Sequence, residues 1–539
     1  MNHGLLTDGL VVLTYFVVVI SIGLYKGRGS NSIESFATGN RSIPWWAVLA
    51  SIMAAEISAA TFLGAPGEGY AQRNFTYAQL ALGTILARVL IAYIFIKPYY
   101  DFRVVSIYEY LFIRFGRRTK DAASVVFLIT RALASGTRLY VAAIVLVLGY
   151  EYATGRELEP LEQMPVYVGA LVFVTALTAI YTALGGIKAV VWTDVIQVVI
   201  MFGALGFAIW SLLAAIPHGM SGVHAAMNQP GDWKFFDSGI DPSRTFLGNV
   251  RSILESEYTI WAALIGSTFL TLGTHGTDQD MVQRMLTAKN YHRSRLSLIL
   301  SGLADLPLVF CFLFVGMLLW SYYQKPGMDA PFAHYIVYEM PPGIRGLLVA
   351  GLFATAMGSL STALNALATS FVEDWYRPYI NPDASMEHTV RAARRATFVF
   401  AIALIVVGAL TAYAKIVLQA RIIPIVLGIF GYTYGSLLGV FLVGLLTRGR
   451  GNERGNLIAM LCGFLVVALL SGLHNDIWAL LHPLTPHAVL WKPAWLPTIE
   501  FPWRIAFGTV VTFFVALCFR TPASQIASAH AKRLAGAEA

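Results

Sequence analysis

An acidic residue among small and hydroxylated neighbours, Ala54-Ala55-Glu56-Ile57-Ser58-Ala59-Ala60-Thr61-Phe62-Leu63-Gly64, lies in the middle of an apolar run long enough to cross a bilayer. An unsatisfied polar group in hydrocarbon costs several kcal/mol, so Glu56, Ser58 and Thr61 must face protein, an ion or water. Gly64, Pro66, Gly67 and Gly69 weaken helical continuity just beyond. The stretch predicts a broken helix lining a site. A second interruption, Thr271-Leu272-Gly273-Thr274-His275-Gly276-Thr277-Asp278, offers Thr271, Thr274 and His275 to a polar solute. His275 is either a proton relay or, as is commoner in an apolar helix, a hydrogen-bonded structural residue. Arg131 and Arg138 share one helix face, about 10 Å apart along the axis. A guanidinium at membrane depth needs a carboxylate, which is either Glu56, in a structural pair, or the substrate itself through a bidentate contact. Asp278 and Asp280, at the cytoplasmic end of their span, either pair with Arg284, contribute to an inner gate or, as the safer reading, form a solvated charge cluster. Asp194, one turn into an apolar span beyond Lys188, is either a functional intramembrane carboxylate or one that caps or salt-bridges at the cytoplasmic interface. No HExxH, GxSxG or phosphate-binding glycine loop stands out, so an enzyme is not expected.

The elements that position these residues follow from composition. Of 539 residues 57% are hydrophobic and 13% charged, against roughly 25% charged in soluble domains. The expectation is an all-α polytopic membrane protein forming a single transport unit. About thirteen spans fit the apolar runs, near 7–25, 44–71, 77–98, 120–150, 163–184, 188–217, 256–279, 294–323, 344–374, 394–413, 420–446, 455–473 and 503–519. Cys311, Cys462 and Cys518 lie in separate runs, which argues against a disulfide framework.

The net charge of +8 reports topology rather than a nucleic-acid partner. Basic clusters follow alternate spans: Lys26, Arg28 and Arg41; Arg114, Arg117 and Arg118; Arg284, Lys289 and Arg293; Arg391, Arg394 and Arg395; Arg448, Arg450 and Arg454; Arg520, Lys532 and Arg533. The positive-inside rule then places the N-terminus outside and the C-terminus in the cytoplasm. The first run lacks the basic lead and cleavage pattern of a signal peptide and is expected to remain as a span. Outer loops at 218–255 and 474–502 are expected to form short helices or a lid, and 520–539 a surface helix or disordered tail.

If the first span is peripheral, the two interrupted helices open two inverted series of five spans, the arrangement of transporters with a midplane site. This divides the chain into a peripheral helix and inner loop (1–43), a first repeat (44–217), an outer loop (218–255), a second repeat (256–446), two added helices (447–519) and the tail (520–539).

Three stretches resemble the sodium:solute symporters, a family including sodium-coupled sugar, proline, sialic acid and monocarboxylate carriers. They are Ala54 to Tyr70, the run Tyr181-Thr182-Ala183-Leu184-Gly185-Gly186-Ile187-Lys188-Ala189-Val190-Val191-Trp192-Thr193-Asp194-Val195-Ile196-Gln197, and Gly351 to Tyr376. The resemblance implies an inverted-repeat five-plus-five helix transporter fold, alternating access and sodium as coupling ion. It implies sodium ligands at the carbonyls of Ala54, Ile57 and Thr355 and the hydroxyl of Ser359, oxygens that suit a hard cation. In some members the aspartate matching Asp194 joins hydroxyls at the positions of Ser361 and Thr362 in a second sodium site. Gly358 departs from the pattern, standing where the family often has a second hydroxyl; the alternatives are a proton-coupled symporter or a sodium/sugar symporter and, more distantly, an integral membrane enzyme. Leu82 and Thr61 occupy the positions where sugar carriers have a carboxylate and an amide, so the sugar pattern is not retained. The implied function is sodium-coupled symport of a small polar solute with a weak preference for a carboxylate.

Overall fold

A helix that breaks inside a bilayer must hand its freed backbone groups to neighbouring protein, water or ions. The computed structural model describes residues 3–29, 31–416, 422–473 and 499–538, and among them the regular elements are all helical. Helix α1 is His3–Lys26. The first interrupted span consists of α2 (Trp45–Glu56) and α3 (Ala59–Gln72), bent by 64°. Helices α4 (Leu80–Ile94), α5 (Arg117–Thr154) and α6 (Pro160–Ala215) follow.

At 56 residues, α6 would run about 84 Å if straight, against a hydrocarbon core of about 30 Å. Gly186, at φ 58° and ψ −155°, divides it into two crossings. Only glycine takes that backbone readily, and a Cβ there would meet Phe36 O at 2.7 Å.

The second series opens with a π-helical turn, Ala262–Ser267, leading into α7 (Thr268–Gly276), a break at Thr277 and Asp278, and α8 (Gln279–Met285). Then come α9 (Tyr291–Tyr323), α10 (Ile344–Phe371) with its π-helical extension Val372–Ile380, α11 (Met386–Ile416) and α12 (Ile422–Leu446). Helices α13 (Glu453–Ser471) and α14 (Phe501–Leu517) complete the bundle. Among the described residues nine helices are long and apolar enough to cross a membrane, ten when α2 and α3 count as one span. The division of α6, the interrupted α7–α8 pair and the short α14 account for the rest of the expected crossings.

Burial ranks the helices. The apolar window of α10 and its extension is 83% buried, that of α1 only 22%. Helix α10 is thus the axis of the bundle, while Leu10, Leu13 and Val17 of α1 stay exposed on its periphery. Small residues let backbones touch where the first break is braced. A Cβ on Gly69 would lie 2.2 Å from Leu313 O, and one on Gly316 2.0 Å from Pro66 O.

The loop at 218–255 forms two short helices, Met220–Ala226 and Phe246–Leu254. Between them it folds against the segment leaving α3: Trp233 N donates to Arg73 O at 3.0 Å and Phe75 N to Lys234 O at 2.8 Å, while Phe75 stacks on Phe235. The core of the other expected loop, 474–498, lies outside the described residues. The tail forms an exposed helix, Ala523–Glu538, tied back by Arg533 to Asp101 at 3.1 Å.

The close approach of α3 and α9 sets an expected outcome. Gly316→Leu forces those backbones apart and lowers stability by at least about 1–3 kcal/mol, read as a fall in the thermal unfolding midpoint in detergent. Gly206→Ala, whose Cβ meets nothing within 4 Å, leaves the midpoint unchanged or raised.

Candidate functional site

The break between α2 and α3 spans Ile57 (φ −82°, ψ 88°) and Ser58 (φ −83°, ψ 169°). In a continuous helix Ser58 N would donate to Ala54 O; here it donates to Glu56 O at 3.0 Å. Helical pairing resumes with Phe62 N to Ser58 O at 2.9 Å. The Ala54 carbonyl has therefore lost its helical donor, the condition under which a backbone oxygen can serve a cation.

Helix α10 faces this break with its small residues. A Cβ on Gly358 would lie 3.2 Å from Ala54 O and 2.9 Å from Gln197 Oε1. The place of the missing hydroxyl is thus approached by an amide oxygen from α6. Both amide atoms of Gln197 are buried and make no hydrogen bond of full geometry, and the Tyr15 and Tyr181 hydroxyls lie beside them. Thr355 Oγ1 donates to Leu352 O at 2.8 Å, and Ser359 Oγ is within 3.1 Å of Thr355 O and Ala356 O. Ala54, Ile57 and Thr355 are buried, and Ser359 lines a narrow cavity of about 10 Å³ between α2, α3, α5, α8 and α10 together with Ala55, Ala59, Arg131, Arg138 and Asp280.

Asp194 is fully buried. Ser51 Oγ donates to its Oδ2, Arg284 Nε approaches that oxygen at 3.9 Å, and Oδ1 has no partner. Ser361 Oγ donates to Gly358 O at 3.1 Å and Thr362 Oγ1 to Ser359 O at 2.8 Å. Tyr181 sits between the two groups, its hydroxyl beside Ser361 and Gln197.

The substrate candidates separate into two groups. Glu56 pairs with the fully buried Arg88 of α4 and lies 3.8 Å from His275 Nε2. Arg88 also donates to Ser301 Oγ at 3.0 Å. The expected pairing of Glu56 with an α5 arginine is corrected: Arg88 is nearer and takes the carboxylate. Thr274 Oγ1 is 3.0 Å from His275 Nδ1, and Thr271 Oγ1 is 3.5 Å from Thr84 Oγ1. Ser58 is buried at the start of α3, and Thr61 is half-buried there.

The second group surrounds α5. Asp278 and Asp280 are 0% and 3% exposed, which overturns their reading as a solvated cluster: both meet Arg131, and Asp280 also meets Arg284 Nη1 at 2.8 Å. Tyr434 donates to Asp278 as well. The carboxylates at the second break are thereby committed to Arg131. Among the described residues Arg138 has no ion-pair or hydrogen-bond partner; its guanidinium lies over the Phe430 ring at 5.0 Å and lines the same cavity as Ser359.

Sequence reading missed Arg88, Ser51 and Gln197 as members of these constellations. Arg88 carried a signal, being an arginine in the apolar run 77–98, where charge is costly. Ser51 and Gln197 carried none beyond polarity, since their importance comes from helices remote in sequence.

Because Arg88 is fully buried, removing its partner leaves an uncompensated charge. Glu56→Gln alone is expected to cost about 3–5 kcal/mol, and the double substitution Glu56→Gln/Arg88→Met distinctly less than the sum of the single ones. Thermal unfolding of the four proteins in a double-mutant cycle checks this; additive losses would show that the two side chains are uncoupled.

The chain resembles known proteins over nearly its whole length. A profile of the sodium:solute symporter family matches residues 36–463. The sodium-coupled monocarboxylate transporter 1 of Homo sapiens is 28% identical over 485 residues, covering 87% of this chain and 74% of that protein. The sodium-dependent multivitamin transporter of Oryctolagus cuniculus is 28% identical over 536 residues, 96% of this chain and 77% of the relative. The sodium/iodide cotransporter of Homo sapiens is 27% identical over 447 residues, 81% and 64% of the two chains. Among solved structures, a Na⁺-coupled sialic acid symporter in a substrate-bound outward-open state superposes with a TM-score of 0.75 at 21% identity, covering 95% of this chain and 97% of that one. The shared fold agrees with the order seen here, two series of five helices that each open on a broken one. From the matched residues and the bundle folded around the interrupted α2–α3 span, the chain belongs to the sodium:solute symporter family.

Proposed function

We propose that the protein couples sodium to the inward transport of a small organic anion, a carboxylate, by alternating access. One observation carries the choice of an anion: the Arg138 guanidinium, without a carboxylate of its own, lines the cavity that Ser359 and the first break also line. A planar guanidinium offers paired donors that match a carboxylate. The names of two relatives, monocarboxylate transporter and iodide cotransporter, refer to anions.

The coupling ion is assigned to the carbonyls of Ala54, Ile57 and Thr355 with the Ser359 hydroxyl, and Gln197 Oε1 takes the place of the hydroxyl missing at Gly358. Sodium held there bridges α2 to α10 and favours the state in which the solute pocket is formed; its loss to the cytoplasm releases that bridge. Asp194, Ser361 and Thr362 form a second sodium position. Glu56, Ser58, Thr61, Thr271, Thr274 and His275 line the solute path, with Glu56 held by Arg88. The N-terminus is outside and the C-terminus cytoplasmic, on the positive-inside rule.

Charge arithmetic gives the second position a consequence. One sodium with a monovalent anion moves no net charge, so the membrane potential does no work on the cycle. A second sodium adds about 2.3 kcal/mol per 100 mV.

Uptake into proteoliposomes is expected to follow an inward sodium gradient and to ignore a pH gradient; the reverse result would assign the coupling to protons. Ser359→Ala and Gln197→Leu each raise the sodium concentration for half-maximal uptake by about tenfold, the loss of one ligand to a charged group. Arg138→Gln weakens carboxylate uptake by at least about tenfold with sodium affinity retained. Equal uptake by that variant would remove the assignment of an anion.

A further inference from the structure

The Arg-rich start of α11 and the π-helical end of α10 enclose a groove of about 420 Å³, remote from the ion and solute sites. Its floor and walls are apolar: Phe371, Tyr376 and Ile380 from the end of α10, Val399 from α11. Its rim is basic. Arg391 and Arg395, one helical turn apart, are both exposed on it. Arg395 has no ion-pair or hydrogen-bond partner among the described residues. Arg391 meets Glu387 at 3.0 Å, but with side chains 47% and 80% exposed such a pair yields readily to a stronger partner.

We propose that this groove binds an anionic phospholipid, with the headgroup phosphate on Arg391 and Arg395 and an acyl chain along the apolar floor. Charge complementarity selects an anion at the rim. The surface beyond the groove selects an amphiphile rather than a soluble anion: Val399, Ile402, Val406 and Leu410 of α11 are 51–63% exposed and continue the apolar floor toward the middle of the helix. An occupant must therefore begin at a basic, wet end and run into hydrocarbon, which only a lipid of the adjoining leaflet does. Basic residues at that end belong to the cytoplasmic leaflet by the positive-inside rule, where anionic lipids concentrate.

The wall supplied by α10 gives the site a mechanical meaning. The same helix presents Thr355 and Ser359 at its middle, so a lipid seated between its far end and α11 holds those two helices together. The binding itself is independent of which solute is carried.

The test uses the full-length protein in mixed micelles of equal phosphatidylglycerol and phosphatidylcholine, with retained lipid read by native mass spectrometry. Phosphatidylglycerol is expected to be retained over phosphatidylcholine by about thirtyfold, each arginine near an anionic headgroup contributing about fivefold. Arg391→Gln/Arg395→Gln removes the preference. Ala392→Trp, which fills the groove and leaves both charges, removes it too. Arg293→Gln/Arg454→Gln, which deletes two exposed charges elsewhere, keeps it. Phosphatidylglycerol raises the thermal unfolding midpoint of the wild type and inorganic phosphate does not. Equal retention of the two lipids, retention unchanged in either groove variant, loss in the control, or an equal shift with inorganic phosphate would each overturn the proposal.

Discussion

The structure depends on one constraint, that a polar group inside a bilayer must have a partner. Breaking α2 from α3 at Ile57 and Ser58 removes the helical donor of Ala54 O, and everything around that point follows from the need to accommodate it. Helix α10 comes close because Gly358 has no side chain, which leaves room for Ala54 O and Gln197 Oε1. Helix α9 comes close on the other side because Gly69 and Gly316 allow backbone contact. The result is that the unpaired Ala54 carbonyl and the Gln197 amide oxygen both lie beside Gly358, and oxygen dipoles in a low-dielectric interior are what the proposed sodium site would use.

The interior charges obey the same constraint and divide by helix. Arg88 meets Glu56; Arg131 meets Asp278 and Asp280; Arg284 meets Asp280 and Ser51. Each pair joins elements distant in sequence or braces the second break, and a buried charge that lost its partner would be strongly destabilising. Arg138 stands apart from this scheme, resting on the Phe430 ring. That unmatched guanidinium is the feature on which the proposal of an anionic solute rests.

Much of this was legible from the chain. The polar interruptions at Glu56 to Thr61 and Thr271 to Asp278 marked both broken helices, because hydroxyls, glycines and a carboxylate have no reason to sit together in a membrane span unless the backbone there is opened. The end of one apolar run at 184 and the start of the next at 188 marked the turn between two crossings, which the structure places at Gly186. Pairings were less legible. Arg131 and Arg138 share a helix and a residue type, yet one is bound to two aspartates and the other is free of them. Nothing in their spacing distinguishes them, since the distinction lies in where α8 and α12 pack.

The sequence by itself determined the class, the number and order of the helices, the two points at which they break and the family, because hydrophobic run length, local helix breakers and contiguous motifs are properties of neighbouring residues. Only the tertiary structure decided that Arg88 and not an α5 arginine takes Glu56, that Asp278 and Asp280 are buried, and that Gln197 stands beside Gly358 and Ala54. Those outcomes rest on ångström distances between helices far apart along the chain, and electrostatic and hydrogen-bond energies are fixed by such distances rather than by position along the chain.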